Sequence, residues 1–168
     1  MRIGVFADSH DHLDYIRAAV RVFNREECEL VVFVGDLVSS FAVPPLRQLK
    51  CPVIACFGDN EGNKLGVAAG FKILGCIGEP PFCAKTADGT RLLITHMLSH
   101  VKQLEGEFDI CLYAHTHKPE QWHDARGRLF LNPGETSGWS FGKPSVAILE
   151  TEPRTARFVL LNEETGAM

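Results

Sequence analysis

Seven side chains of this chain could ligate a metal, and they fall at comparable places. They are Asp8 and His10 in ADSH, Asp36 in VGD, Asp59 in FGDN, His96 in ITH, and His115 and His117 in AHTH. Each cluster closes a short apolar run. A lone Asp after a strand is ordinarily a cap or turn residue, and a lone His is ordinarily structural. The coincidence of five such loops is what points to chemistry. The donors are carboxylates and imidazoles with no well-placed thiolate, which favours Mn, Fe, Ni, Co or Zn over a copper–thiolate or iron–sulfur site. Three Asp and four His exceed one four-coordinate ion but suit two ions sharing a bridging carboxylate. Two ions about 3.5–4 Å apart are a common arrangement for phosphoester hydrolysis.

The runs that must position these residues are IGVFA (3–7), LVVFVG (30–35), PVIACFG (52–58), RLLIT (91–95) and DICLYA (109–114). RLFLN (128–132), SVAILE (145–150) and RFVLL (157–161) follow. Their length and near-continuous apolarity predict buried strands. DHLDYIRAAVRVFNRE (11–26) places Leu13, Ile16, Val20 and Phe23 at helical spacing, with Ser9 or Asp11 available as its cap. PPLRQLK (44–50) reads as a short helix with Pro in its first turn, and SHVKQLEG (99–106) as another ending at Gly106. Strand–helix–strand–helix–strand in the first part of the chain predicts parallel βαβ units with right-handed crossovers. The C-terminal strands are expected to pair antiparallel in a second sheet. Sites in open α/β sheets form outside the carboxyl ends of the strands, so the five loops should meet at one edge. No repeat, low-complexity stretch or linker interrupts the chain, and a single domain over 1–168 is expected.

Composition narrows the function classes. The net charge of −4 argues against a general nucleic-acid or anionic-membrane surface. It leaves room for a phosphorylated substrate, because bound metal can reverse the local sign. No apolar stretch reaches the roughly 18 residues of a membrane span. MRIGVFADSH has no leader-like apolar core. Cys28, Cys51, Cys56, Cys76, Cys83 and Cys111 are scattered without a CxxC pair, which reads as a reduced set. A cytoplasmic location is expected.

In chain order, DSH (8–10), GD (35–36), GDNE (58–61), a His after a strand (96) and HTH (115–117) resemble the motifs of the calcineurin-like metallophosphoesterases. The short chain and the closing LNPGE (131–135) resemble the small bacterial and archaeal phosphodiesterase branch. The likeness runs from Arg2 to about Leu161. It implies a four-layer α/β/β/α sandwich, two mixed sheets flanked by helices. It implies that Asp8, His10 and His117 hold a first metal, that Asp36 bridges, and that Asp59, His96 and His115 hold a second. It puts Asp36, Asn60 and His96 at the chemistry. The cofactors would be two divalent ions (Mn, Ni, Fe, Co or Zn). The substrate would be a small phosphoester, foremost a diester, attacked in line by a water or hydroxide between the ions. A short oligonucleotide or cyclic nucleotide stays within that range, and no membrane partner is implied. Small family members are often dimers, so a homodimer fits.

The chain departs from the family pattern in three places. Asn60 stands where many relatives carry an acid–base His, which favours substrates with good leaving groups; His12 is one candidate substitute, beside its plainer role of opening the first helix. Asp36 lies in GDLVS (35–39), where many relatives have GDxxD. Asp59 stands where relatives have a neutral Asn, so two divalent ions, a hydroxide and the three Asp sum formally to about zero rather than +1. Tighter metal retention, weaker attraction for phosphate and tolerance of ferric iron are expected. Trp122, Trp139 and Phe141 are candidates to line a substrate pocket, though such residues more often serve a core or interface. Asn132-Pro133-Gly134 reads as a turn near the site, Gly58 and Gly62 as tight-turn residues, and His100 and His123 as surface residues. A rival reading is a scaffold of the same fold, as the small retromer subunit resembles. That reading predicts eroded ligands, and none of the seven is eroded here.

Overall fold

The structure, a computed structural model, describes residues 1–101 and 106–164. Its strands are β1 (Arg2–Phe6), β2 (Leu30–Phe33), β3 (Val53–Cys56), β4 (Gly75–Gly78), β5 (Phe82–Lys85), β6 (Arg91–Ile94), β7 (Ile110–Leu112), β8 (Pro119–His123), β9 (Leu129–Pro133), β10 (Ser145–Glu150) and β11 (Thr155–Leu160). Its helices are α1 (Leu13–Arg25), α2 (Val43–Leu46) and α3 (Lys64–Phe71), with 3₁₀ turns at Ser40–Ala42 and Leu98–His100.

Two mixed sheets form, ordered β11-β10-β1-β2-β3-β4 and β5-β6-β7-β9-β8. The pairs β1–β2, β2–β3 and β3–β4 are parallel, as the βαβ reading predicts. Side-chain alternation sorts β1 and β2 between two cores. Ile3, Val5 and Val32 point to the inter-sheet core with Leu92, Ile94, Leu112 and Leu131. Phe6, Val31 and Phe33 point to the helices, where they meet Ile16, Val20 and Phe23 of α1. Gly4 lets α1 approach closely, since a Cβ there would lie 2.4 Å from the Phe23 ring. On the outer face of the second sheet, the described residues place the Leu98–His100 turn. Leu98 and Val101 pack there on Leu93, Phe108 and Phe130.

Several local expectations change. The cap of α1 is neither Ser9 nor Asp11 but His12, whose ring nitrogen accepts from Tyr15 N. Ser9 and Asp11 instead bond Asp36 O and Ser39 N. The C-terminal strands do not build the second sheet together. β10 and β11 pair antiparallel, but β10 adds antiparallel to β1 in the first sheet, with Ile3 opposite Leu149. Of β9, β10 and β11, β9 alone lies in the second sheet, parallel to β7 and antiparallel to β8. The continuous apolar run of β10 fits a strand buried on both faces and carries no mark of which sheet takes it. The helix expected over 99–106 begins as the 3₁₀ turn, and its residues 102–105 lie outside the described residues.

Candidate metal centre

The five loops meet at the carboxyl ends of β1, β2, β3, β6 and β7. Their backbone does the aiming. Asp8, His10, Asp36, His115 and His117 all have left-handed backbone, with φ between +40° and +69°. Such residues are uncommon outside Gly and cost about 1–3 kcal/mol each. Backbone hydrogen bonds offset the cost here. Asp8 N, His10 N and Asp11 N donate to Gly35 O, Asp36 O and Leu37 O at 3.0, 3.1 and 3.2 Å, zipping the first loop onto the second.

All seven candidates converge. Ligand-type atoms of Asp8, His10 and His117 form one group within 4.8 Å, those of Asp59, His96 and His115 a second, and those of Asp8, Asp36 and His96 a third that joins them. Asp8 and Asp36 are buried and His96 nearly so, whereas Asp59 and His115 open to solvent. The His10 and His117 Nε2 atoms stand only 3.4 Å apart.

Supports fix the ring faces. His96 Nδ1 donates to Val34 O at 2.7 Å, which leaves Nε2 for the site. His117 Nδ1 lies 2.9 Å from Glu135 Oε2 and leaves its Nε2 likewise. Such partners fix tautomer and orientation at metal-binding imidazoles. Glu135 is fully buried and also accepts from Ser140 N and Phe141 N. Burial works against its charge, but His117 and those N–H groups hold its carboxyl below the usual range. Asn60 clamps Asp36 with both of its nitrogens, N to Oδ1 at 2.9 Å and Nδ2 to Oδ2 at 2.8 Å. Burial raises the Asp36 pKa, yet His96 and Asn60 outweigh it and keep Asp36 well below the usual carboxylate range. Glu61 accepts from Asp36 N, Leu37 N, Val38 N and Gly58 N at 2.9–3.2 Å, tying the second loop to the third. Gly58 is required by contact, because a Cβ there would sit 2.0 Å from Asp36 Oδ1.

The donor set accommodates cations. Asp8 Oδ1 and His96 Nε2 are buried without a hydrogen-bond partner. His96 Nε2 does lie 2.9 Å from Asp59 Oδ1, but without hydrogen-bonding geometry. Unpartnered buried polar atoms are costly, and two facing each other across acids and imidazoles suit a positive ion. Burial, foremost, pushes Asp8 up to about 7. Burial lowers His10, with Asp36 opposing. It opposes the charge of His96 too, but Asp36, the Val34 carbonyl and Asp8 raise that imidazole to about 9.

The remaining candidates separate. Asn132 does more than turn the chain: its Nδ2 donates to Ala114 O and Thr116 Oγ1, bracing the HTH loop. His12 is the helix cap, with its ring against Tyr15 and Trp139. Trp139 donates from Nε1 to His10 O at 3.5 Å. Trp122 stacks on Phe130 and also lines a cleft that reaches His115. His100 is exposed but lines a cleft with Asp59 and His96. His123 bonds Arg154 O at the surface. The residue that sequence reasoning missed is Glu135. It lies within LNPGE, but nothing local to those letters reveals that its carboxylate is buried under His117.

Carboxylates and imidazoles gathered on strand ends, with their rings fixed from behind, define a metallohydrolase type of site. The chain belongs to the calcineurin-like phosphoesterase superfamily, whose domain model matches residues 1–154; the family comprises phosphoester hydrolases. It is 34% identical to a phosphodiesterase of Methanocaldococcus jannaschii over 96% of this chain and 99% of that one. A solved structure described as a novel archaeal phosphodiesterase superposes with a TM-score of 0.88 at 32% identity, covering 95% of this chain and 99% of that one. Yfce, a phosphoesterase from E. coli, shares the fold with a TM-score of 0.71 at 19% identity, covering 96% of this chain and 100% of that one.

Proposed function

We propose that this chain is a cytoplasmic phosphodiesterase working with two divalent ions. Asp8, His10 and His117 would hold one, Asp59, His96 and His115 the other, with Asp36 between. The observation that carries this is the pair of unpartnered buried atoms, Asp8 Oδ1 and His96 Nε2, between two convergent ligand groups. Two such ions supply a water acidic enough to ionise near neutrality and positive charge for the phosphoryl oxygens. The chain's own residues do the positioning. Asn60 and Glu61 fix Asp36 and its loop, Glu135 and the Val34 carbonyl fix the faces of His117 and His96, and the open side at Asp59 and His115 admits substrate. The Asn60 amide is spent on Asp36 and cannot protonate a leaving group, so esters of acidic alcohols should react best. The name of the archaeal relative supports diesters over monoesters.

The test is to strip the protein with chelator, reload it with Mn, Ni, Co, Fe or Zn, and assay bis-p-nitrophenyl phosphate. Activity should return with metal, Mn foremost, and disappear in His96→Ala and Asp36→Asn. A fully metallated protein inert toward every phosphoester would establish the scaffold reading instead.

A further inference from the structure

Two clefts border the Asp59, His96 and His115 group, one on each side of Met97. The smaller, about 170 Å³, takes in Phe57, Asp59, His96 and His100. The larger, about 310 Å³, runs from His115 past Met97 and Leu98 to Tyr113, Glu120 and Trp122. We propose that the larger cleft binds the nucleobase on the non-leaving arm of a phosphodiester whose phosphate lies at the ion site. This rests on the phosphodiesterase reading above and deepens it.

The wall of the cleft is built by strand alternation. In β8, Gln121 and His123 face β11 and the turn before it, where Gln121 pairs with both backbone groups of Ala156 and His123 with Arg154 O. Glu120 and Trp122 therefore share the opposite face. Trp122 lies directly across from Phe130, and the two rings stack at 4.0 Å and 5°. One indole face is thus covered. The residue remains 37% exposed and lines the cleft, where a second flat ring can stack. Base–aromatic stacking of this kind tolerates many ring types.

The polar groups select the same occupant. Tyr113 donates its hydroxyl to Glu120 Oε2 at 2.7 Å, and Trp122 Nε1 leans on that hydroxyl at 3.4 Å. An ionised carboxylate has about four lone-pair sites, so Glu120 keeps accepting capacity for an exocyclic amine. Its negative charge repels phosphate and leaves the cleft to the uncharged arm. The volume is at the lower end of ligand sites, about 300–1,000 Å³. It suits one ring system rather than a polymer.

The test compares two diesters with the same leaving group, adenosine 5′-(p-nitrophenyl phosphate) and methyl p-nitrophenyl phosphate, on the Mn-loaded full chain. The wild type should favour the adenosine diester. Trp122→Leu should lower the ratio of the two kcat/KM values about tenfold. Because Trp122 also packs on Phe130, a second variant is needed; Ser99→Phe fills the cleft from an exposed position and should lower the ratio similarly. Calorimetry with AMP reads binding without turnover, and both variants should weaken it about tenfold. A selectivity ratio unchanged in both variants, or an equal loss on both diesters, overturns the subsite. Absent turnover with AMP binding that still depends on Trp122 overturns the enzyme reading while sustaining the subsite.

Discussion

Replacing Glu61 by Gln tests whether the site is held from behind rather than by its ligands alone. Three of the four accepted bonds, from Asp36 N, Leu37 N and Gly58 N, go to Oε1, and the bond from Val38 N goes to Oε2. A Gln amide oxygen in the Oε1 place keeps the first three as neutral bonds. Its NH₂ then faces the Val38 N–H, donor against donor. A hydrogen bond to a charged group is worth about 1.5–3 kcal/mol. Losing one and neutralising three should therefore cost about 2–4 kcal/mol. For a chain of this size each kcal/mol moves Tm by about 2–4 °C, so the chelated variant should melt about 5–15 °C below the chelated wild type. Because Asp36 follows the loop, Mn affinity should fall about 10–100-fold, as for other groups that orient ligands. Thermal unfolding of the ion-free proteins and Mn titration measure both. A Tm within about 2 °C of wild type, together with unchanged Mn affinity, would refute the reasoning.

Two further outcomes are expected. Asp59→Asn removes the charge that lies 2.9 Å from His96 Nε2 and 3.1 Å from His115 Nδ1; it should weaken retention of one ion about tenfold and lower KM for an anionic diester. Elemental analysis and steady-state kinetics check this, and loss of both metals without a change in substrate affinity would count against the charge account. The pH dependence of the ion-free chain should run downhill toward alkaline pH. His96 is raised from 6.5 to about 9, so its contribution is complete below its unfolded value and lost as pH rises through the folded one. Asp8 is raised from 3.8 to about 7; its folded form also holds the extra proton, and its contribution falls in the same direction between those values. Tm of the chelated protein should therefore decline between pH 6.5 and 9. The ion-loaded protein, with its ligands already deprotonated, should not follow, and parallel slopes in the two forms would contradict this.

The residues that end apolar runs were legible because a buried strand leaves a continuous hydrophobic signature, and its carboxyl end is where a site can form. β4 and β8 left no such signature, since they are exposed or only half-buried along their lengths. In α3, the sequence KLGVAAGF is apolar without a stripe, and only Val67 and Phe71 are buried. The membership of β10 in the first sheet was invisible for a different reason. It depends on pairing with β1, which lies at the other end of the chain. Glu61 could be suspected as a support because it neighbours Asp59. Its four backbone partners could not, because they belong to the turn conformation and not to side-chain types.

The divide between ligand and support also explains why the Asn60 departure does not empty the site. A His at that position could exchange a proton with substrate. Asn60 instead spends both its nitrogens on the two oxygens of Asp36, a bidentate grip that fixes the carboxylate joining the two ligand groups. The substitution trades proton transfer for rigidity at the Asp36 carboxylate. Asp59 shifts the balance the same way, adding charge that should hold ions at the expense of attraction for phosphate. A site that would hold its ions tightly, with no built-in acid at position 60 and a cleft beside His115 whose charged wall residue, Glu120, turns phosphate away, would gain its substrate discrimination away from the phosphate. That places selectivity on the arms of the ester, and on the exposed face of Trp122 before any other side chain.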